Sequence, residues 1–142
     1  MSQHAGPPAR ILTYGTFDLL HHGHLRLLER LREVGDWLSV GVSTDEFNAV
    51  KGKFAHEPFE ARIERLQSTG LVEHVFAEQS WDQKPGDILR LSIDVFAMGD
   101  DWQGHFDGLT STGVRVLYLP RTPGIDSTML RRGIEDDGHP LT

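Results

Sequence analysis

The sequence predicts an α/β domain: a doubly wound, five-stranded parallel sheet with helices on both faces. Three observations carry this expectation. Five short apolar stretches recur along the chain, most of them bounded by glycine, serine or proline. Segments with helical patterning separate them. Strand and helix alternate throughout, the order in which a parallel sheet is covered on both sides.

The first strand is "RILTYG" (Arg10–Gly15), short and apolar. After it Leu25, Leu28, Leu31 and Val34 recur at helical spacing with Leu27 beside them, while Arg26, Glu29, Arg30, Arg32 and Glu33 fill the wet face. Gly35–Asp36 stops that helix, and "WLSVGVS" (Trp37–Ser43) is the second strand. Pro58 suits the first turn of a helix over "FEARIERLQS", which keeps Phe59, Ile63 and Leu66 on one side. "LVEHVFA" (Leu71–Ala77) is the third strand and "KPGDILRL" a short helix. "DVFAMG" (Asp94–Gly99) and "VRVLYLP" (Val114–Pro120) are strands four and five. "DSTMLRRGIE" closes as a helix with Asp126, Ser127 and Thr128 as capping residues. The expected organisation is a loose tail over residues 1–9, one domain over 10–135 and a C-terminal tail over 136–142.

A chain of 142 residues, 38% hydrophobic and 25% charged, has the size and balance of one globular domain and not of a disordered segment. The net charge of −7 argues against a general nucleic-acid binder, so any phosphate site must be a local positive patch on an acidic body. No apolar stretch approaches the roughly 20 residues that span a bilayer, so no membrane insertion is expected. The N-terminal "MSQHAGPPAR" lacks the apolar core of a signal peptide. With no cysteine, disulfides and thiolate metal sites are excluded, which fits the cytoplasm.

Parallel sheets bind ligands at the carboxyl ends of their strands, where the strand order reverses. That rule brings His21–His24, Ser43–Thr44, Gly99–Asp101 and Arg121–Thr128 to one rim. The richest stretch is "YGTFDLLHHGHLRLLERL" (Tyr14–Leu31). His21 and His24 are three apart and share a face if both lie in the first helical turn. Gly23 removes a side chain and admits a ligand close to the backbone. First-turn N–H groups and the helix dipole favour an anion there. Imidazole N–H groups aimed at the same spot would neutralise charge on a phosphate and share protons near neutral pH. Thr16 adds a hydroxyl, and Asp18, acceptor-only, orients a neighbour. The same histidines could ligate a metal, but no acidic or thiol third ligand is apparent, so no metal ligand is named. With 8 histidines and 15 glycines the His-x-Gly-His pattern alone is weak; its place between strand and helix makes it informative.

"YGTFDLLHHGH" resembles the signature of the cytidylyltransferase branch of the nucleotidyltransferase α/β phosphodiesterase superfamily. "GVSTDEFNAVKGK", "DVFAMGDDW" and "LPRTPGIDST" are similar to further blocks of that family, and together they span Tyr14 to Thr128. "STDEFN" and "WDQKPGDI" with "IDVFAMGDDWQGHFDGL" look most like the glycerol-3-phosphate cytidylyltransferases. The resemblance implies a Rossmann-like fold of the HxGH type and the transfer of CMP from CTP to glycerol 3-phosphate, giving CDP-glycerol and pyrophosphate. The alternatives are another phosphorylated alcohol or ATP on the same fold, and a non-catalytic nucleotide-binding module.

By the same resemblance His21, His24, Lys51, Lys53 and Arg121 are the catalytic groups. Tyr14, Gly15, Thr16, Phe17, Gly23, Arg62, Gly99, Asp100, Asp101, Thr122, Gly124, Ile125, Ser127 and Thr128 line the nucleotide, with Asp100 and Asp101 by the ribose. His22 falls on a variable position and reads as an ordinary helix-start residue. Arg62 has the alternative reading of a solvent-facing helix arginine, and Trp102 that of packing. Mg2+ carried on the CTP phosphates and a homodimer are also implied. The chain departs from the family pattern at Pro123 and Asp126, and at "GLVEH" (Gly70–His74), where an arginine-led block is usual.

Overall fold

The computed structural model describes residues 9–120. The elements run β1 (Arg10–Gly15), α1 (His22–Val34), β2 (Trp37–Ser43), α2 (Asp45–Val50), α3 (Phe59–Ser68), β3 (His74–Glu78), α4 (Lys84–Arg90), β4 (Val95–Gly99) and β5 (Arg115–Leu119). Short 3-10 turns at Trp81–Gln83, Asp100–Trp102 and Asp107–Thr112 link the later ones. The five strands form one parallel sheet in the order β3-β2-β1-β4-β5. The chain winds outward from β1 to β3, then returns to the other side of β1. The crevice of a doubly wound sheet therefore opens beyond the carboxyl ends of β1 and β4.

Period-two alternation divides the strands between two cores. Ile11, Leu38, Val40, Val42, Val95 and Ala97 meet Leu28 and Leu31 of α1 and Leu66 of α3 on one face. Leu12, Tyr14, Phe96 and Met98 meet Ile88 of α4 together with Ile93 and Val114 on the other. On that second face β2 presents Trp37, Ser39, Gly41 and Ser43. Gly41 is required there, because a Cβ would fall 2.5 Å from Cδ2 of Tyr14. The glycine lets the tyrosine ring lie across β2.

Some boundaries differ from the sequence reading. β3 begins at His74, not Leu71, because the Glu73 carboxylate takes the Leu38 N–H at 2.7 Å and pairs with Arg32, holding the approach to the strand. β4 and β5 each start one residue later, where the Asp94 carboxylate accepts the Arg10 N–H at 2.8 Å. Helix α2 is new. At six residues it is too short for a periodic signal, and it is set by Thr44, whose side chain caps it from Phe47 N at 3.0 Å. Pro58 is the N-cap of α3, one place earlier than expected. Gly35 ends α1 in extended conformation; its need is space, since a Cβ would lie 2.3 Å from Cγ1 of Ile11. Ala9 belongs to the fold, its carbonyl accepting Asp36 N at 2.9 Å. The expected closing helix from Asp126 and the C-terminal tail lie outside the described residues.

Candidate active site

The loop between β1 and α1 is strained where the site begins: Phe17 and Leu19 both hold positive φ, 52° and 56°. Phe17 is 2% exposed, sits in the core and stacks near the His24 ring at 5.2 Å. From the core it supports the histidine ring. Asp18, 3% exposed, orients neighbours as expected. It accepts the backbone N–H groups of His56 and Glu57 at 2.9 and 3.1 Å and meets His56 Nδ1 at 3.1 Å. This ties the end of the lysine loop to the end of β1.

His21 is the N-cap of α1 and His22 its exposed first residue. His21 Nδ1 accepts Gly23 N–H at 3.0 Å, and His24 Nδ1 accepts His21 N–H at 3.3 Å, a reciprocal box made by two imidazoles. The rings stack 3.8 Å apart at 21°. The expected common face exists, but the first-turn N–H of Gly23 is engaged by the histidine instead of awaiting an anion. In the neutral form an accepting Nδ1 leaves the ring proton on Nε2. Both rings are thereby fixed as Nε2–H donors.

Beyond β2, Thr16 Oγ1 donates to Asn48 Oδ1 at 3.3 Å, so its hydroxyl proton is spent on α2. Asn48 Nδ2, buried beside it, makes no hydrogen bond among the described residues. Gly52, at φ 75°, turns the chain between Lys51 and Lys53, and Lys53 N is held by Asn48 O at 2.8 Å. Arg62 is not solvent-facing. It is wholly buried and donates to the carbonyls of Glu57, Thr16 and Ser43 and to Asp45 Oδ1, all within 3.0 Å. It buttresses the loops that carry the site.

Where β2 and β3 end, a buried polar network fills the second face. Lys51 Nζ donates to Ser43 Oγ at 2.9 Å, which donates to Glu78 Oε1 at 3.2 Å. Glu78 Oε2 takes Lys84 Nζ at 2.7 Å, with both residues 4% exposed. Lys84 lies 4.7 Å from the Tyr14 ring centre, and the Trp81 ring is near both lysines, 5.9 Å from Lys51 and 5.7 Å from Lys84. Tyr14 donates its hydroxyl to Asp87 Oδ2 at 2.7 Å; burial and that carboxylate push its pKa well up. Its role is thus the ring, not the hydroxyl. Burial lowers Lys51 to about 8, partly opposed by Glu78. Gly15 and Trp102 line the same cleft, and Trp102 also packs against the second core as expected.

Thus the structure brings Tyr14, Gly15, Lys51 and Trp102 together around one cleft. His21, His24 and Gly23 sit at the end of β1, and Lys53 on the loop after α2. Gly99, Asp100 and Asp101 follow β4, next to β1, with open space where a Gly99 Cβ would stand. Arg121, Thr122, Gly124, Ile125, Ser127 and Thr128 lie outside the described residues. Sequence reading missed Glu78, Trp81 and Lys84. The signal was available: they lie at or just after the end of β3, the one strand of the five whose carboxyl end carries no residue expected at the site. Among the described residues no three His, Asp or Glu side chains come together as a metal site.

Paired imidazoles at a strand-to-helix junction, cationic side chains beyond the next strand and a doubly wound sheet define a nucleotidyl-transfer class of site. Residues 12–133 match the family described as cytidylyltransferase-like, and the chain belongs to it. Glycerol-3-phosphate cytidylyltransferase of Bacillus subtilis is 50% identical over 125 residues, covering 88% of this chain and 96% of that protein. The enzyme of the same description from Staphylococcus aureus is 47% identical over 123 residues, covering 87% and 92%. In structure the chain is similar to a lipopolysaccharide core biosynthesis protein of Thermoplasma volcanium. The TM-score is 0.69 at 21% identity, over 82% of this chain and 98% of that one, a likeness of fold.

Proposed function

We propose that the protein transfers CMP from CTP to glycerol 3-phosphate, releasing pyrophosphate and CDP-glycerol. One observation carries the reaction type: two stacked imidazoles, each with Nδ1 engaged, at the carboxyl end of the strand where the sheet order reverses. The 50% identity to the Bacillus subtilis enzyme along 96% of its length supports the choice of substrates.

An oxygen of the acceptor phosphate attacks the α-phosphorus of CTP in line, and the bond from that phosphorus to the bridging oxygen breaks. The nucleophile is already anionic, so no general base is required. The chain's task is to gather two polyanions and stabilise the charge of the transition state. His21 and His24 donate Nε2–H to phosphate oxygens. Lys51 and Lys53 hold the triphosphate, with Arg121 added by its motif, and Asp100 or Asp101 accepts from ribose hydroxyls. Magnesium enters as part of the substrate, MgCTP, keeping several of its waters. No helix among the described residues is long and apolar enough to cross a membrane. A cytoplasmic homodimer completes the reading, tested by sedimentation at micromolar concentration.

Pyrophosphate release, measured with CTP or ATP against a panel of phosphorylated alcohols, tests the assignment. Turnover should be highest with CTP and glycerol 3-phosphate. Turnover with another acceptor alone would overturn the substrate, and CTP binding without pyrophosphate release under any acceptor would overturn catalysis.

A further inference from the structure

We propose that Glu78 is a positioning residue, a single buried carboxylate that holds Lys84 directly and Lys51 through Ser43, so that both ammonium groups stand ready beside Trp81.

Register makes the arrangement. Ser43 and Glu78 are the last residues of adjacent parallel strands and are paired in register, so their side chains leave the sheet on one face. Lys51 follows the C-terminus of α2, and Lys84 opens α4. Four side chains from four elements thus meet: Lys51 on Ser43 at 2.9 Å, Ser43 on Glu78 at 3.2 Å and Lys84 on Glu78 at 2.7 Å.

A buried ion pair is weak evidence of stability in itself, since apolar groups of like volume often do as well. This one sits on the rim and serves two cations. Two ammonium groups beside the four rings of Tyr14, Phe47, Trp81 and Phe106, with no carboxylate between them, would repel each other and lose water without compensation. Glu78 lowers that cost and leaves the group at net +1, enough to attract a phosphate without scattering the lysines. The charged groups acting on Lys51 are Glu78, which favours its ammonium form, and Lys53, Lys84 and Arg62, which oppose it. Removing Glu78 leaves only the opposing set.

The inference rests on the proposed reaction for its kinetic consequence, but its direct readout does not. Lysines of the full-length protein are reductively [13C]methylated, which preserves their charge, and the Lys51 signal is identified by its loss in Lys51→Arg. In Glu78→Gln the titration midpoint of Lys51 should fall by about one pH unit. The alkaline limb of kcat/KM should move down with it, while kcat drops roughly tenfold and KM for the acceptor does not rise. Glu78→Asp should restore part of the shift. Should Glu78→Gln not fold, Ser43→Ala decides, because it cuts only the link to Lys51 and should lower the same midpoint. An unchanged Lys51 midpoint in whichever of these variants folds overturns the proposal. A wild-type enzyme inactive on CTP and glycerol 3-phosphate would overturn the substrate reading alone and leave the titration to judge Glu78.

Discussion

Arg62 and Asp45 are joined at 2.8 Å across a boundary, the guanidinium fully buried and the carboxylate half exposed. The remaining contacts of Arg62 go to three backbone carbonyls, those of Thr16, Ser43 and Glu57. A lysine has neither the fork nor the reach to serve all four acceptors. Arg62→Lys should therefore cost about 3 to 5 kcal/mol, read as a melting temperature lower by roughly 10 to 20 °C. Asp45→Asn, at the exposed end, should move it far less. Equal losses for the two would refute the clamp.

His21 carries two duties that can be separated. Its ring caps α1, and its Nε2–H is the proposed phosphate donor. Asparagine is as good a cap but brings no imidazole. His21→Asn should melt within a few degrees of wild type while kcat falls on the order of 10²-fold. His24→Ala should show a similar kinetic loss and also melt lower, because His24 is 7% exposed and packs on Phe17. Wild-type turnover in either variant removes that histidine from the chemistry.

Much of this was legible in the sequence, for physical reasons. Strand positions and most helix faces follow from apolar periodicity, which is a direct imprint of burial. The histidine pair was visible because a strand-to-helix junction restricts where such groups can point. Arg62 was not, since a wholly buried arginine is rare and a charged residue on an amphipathic helix reads as wet. Helix α2 was hidden by its length. The Glu78–Lys84 pair was hidden by its own completeness: two opposite charges six residues apart look like solvated loop until the strand end between them is located. Tyr14 was expected at the site, but its hydroxyl serves Asp87, a partner 73 positions away that no local pattern indicates.

Lys51 sets a pH dependence. Burial lowers it to about 8, so it is an ammonium below that pH and an amine above. With the ammonium as the form that receives phosphate, kcat/KM should decline as pH rises through about 8. Bound triphosphate favours the charged form, so the corresponding limb of kcat should lie higher. In Lys51→Arg the guanidinium stays charged and this limb should disappear from the kcat/KM profile. A profile of the same shape in that variant would assign the titration to another group.

Asp18 binds the end of the lysine loop to the end of β1. Its carboxylate oxygens take the backbone N–H groups of His56 and Glu57, as well as His56 Nδ1. At the other end of the loop, Lys53 N is fastened to Asn48 O. The intervening segment is thus pinned at both ends, which limits where Lys51 and Lys53 can go. Asp18→Asn keeps the shape but replaces charge-assisted bonds with weaker neutral ones and turns one acceptor into a donor. Amide hydrogen exchange at His56 and Glu57 should accelerate, and KM for CTP should rise about tenfold, a loss near 1.4 kcal/mol. Exchange elsewhere in the sheet should stay as in wild type, because the β1 ladder does not depend on this side chain. Unchanged exchange at His56 and Glu57 would mean that the loop is held by other contacts and that Asp18 serves only its own turn.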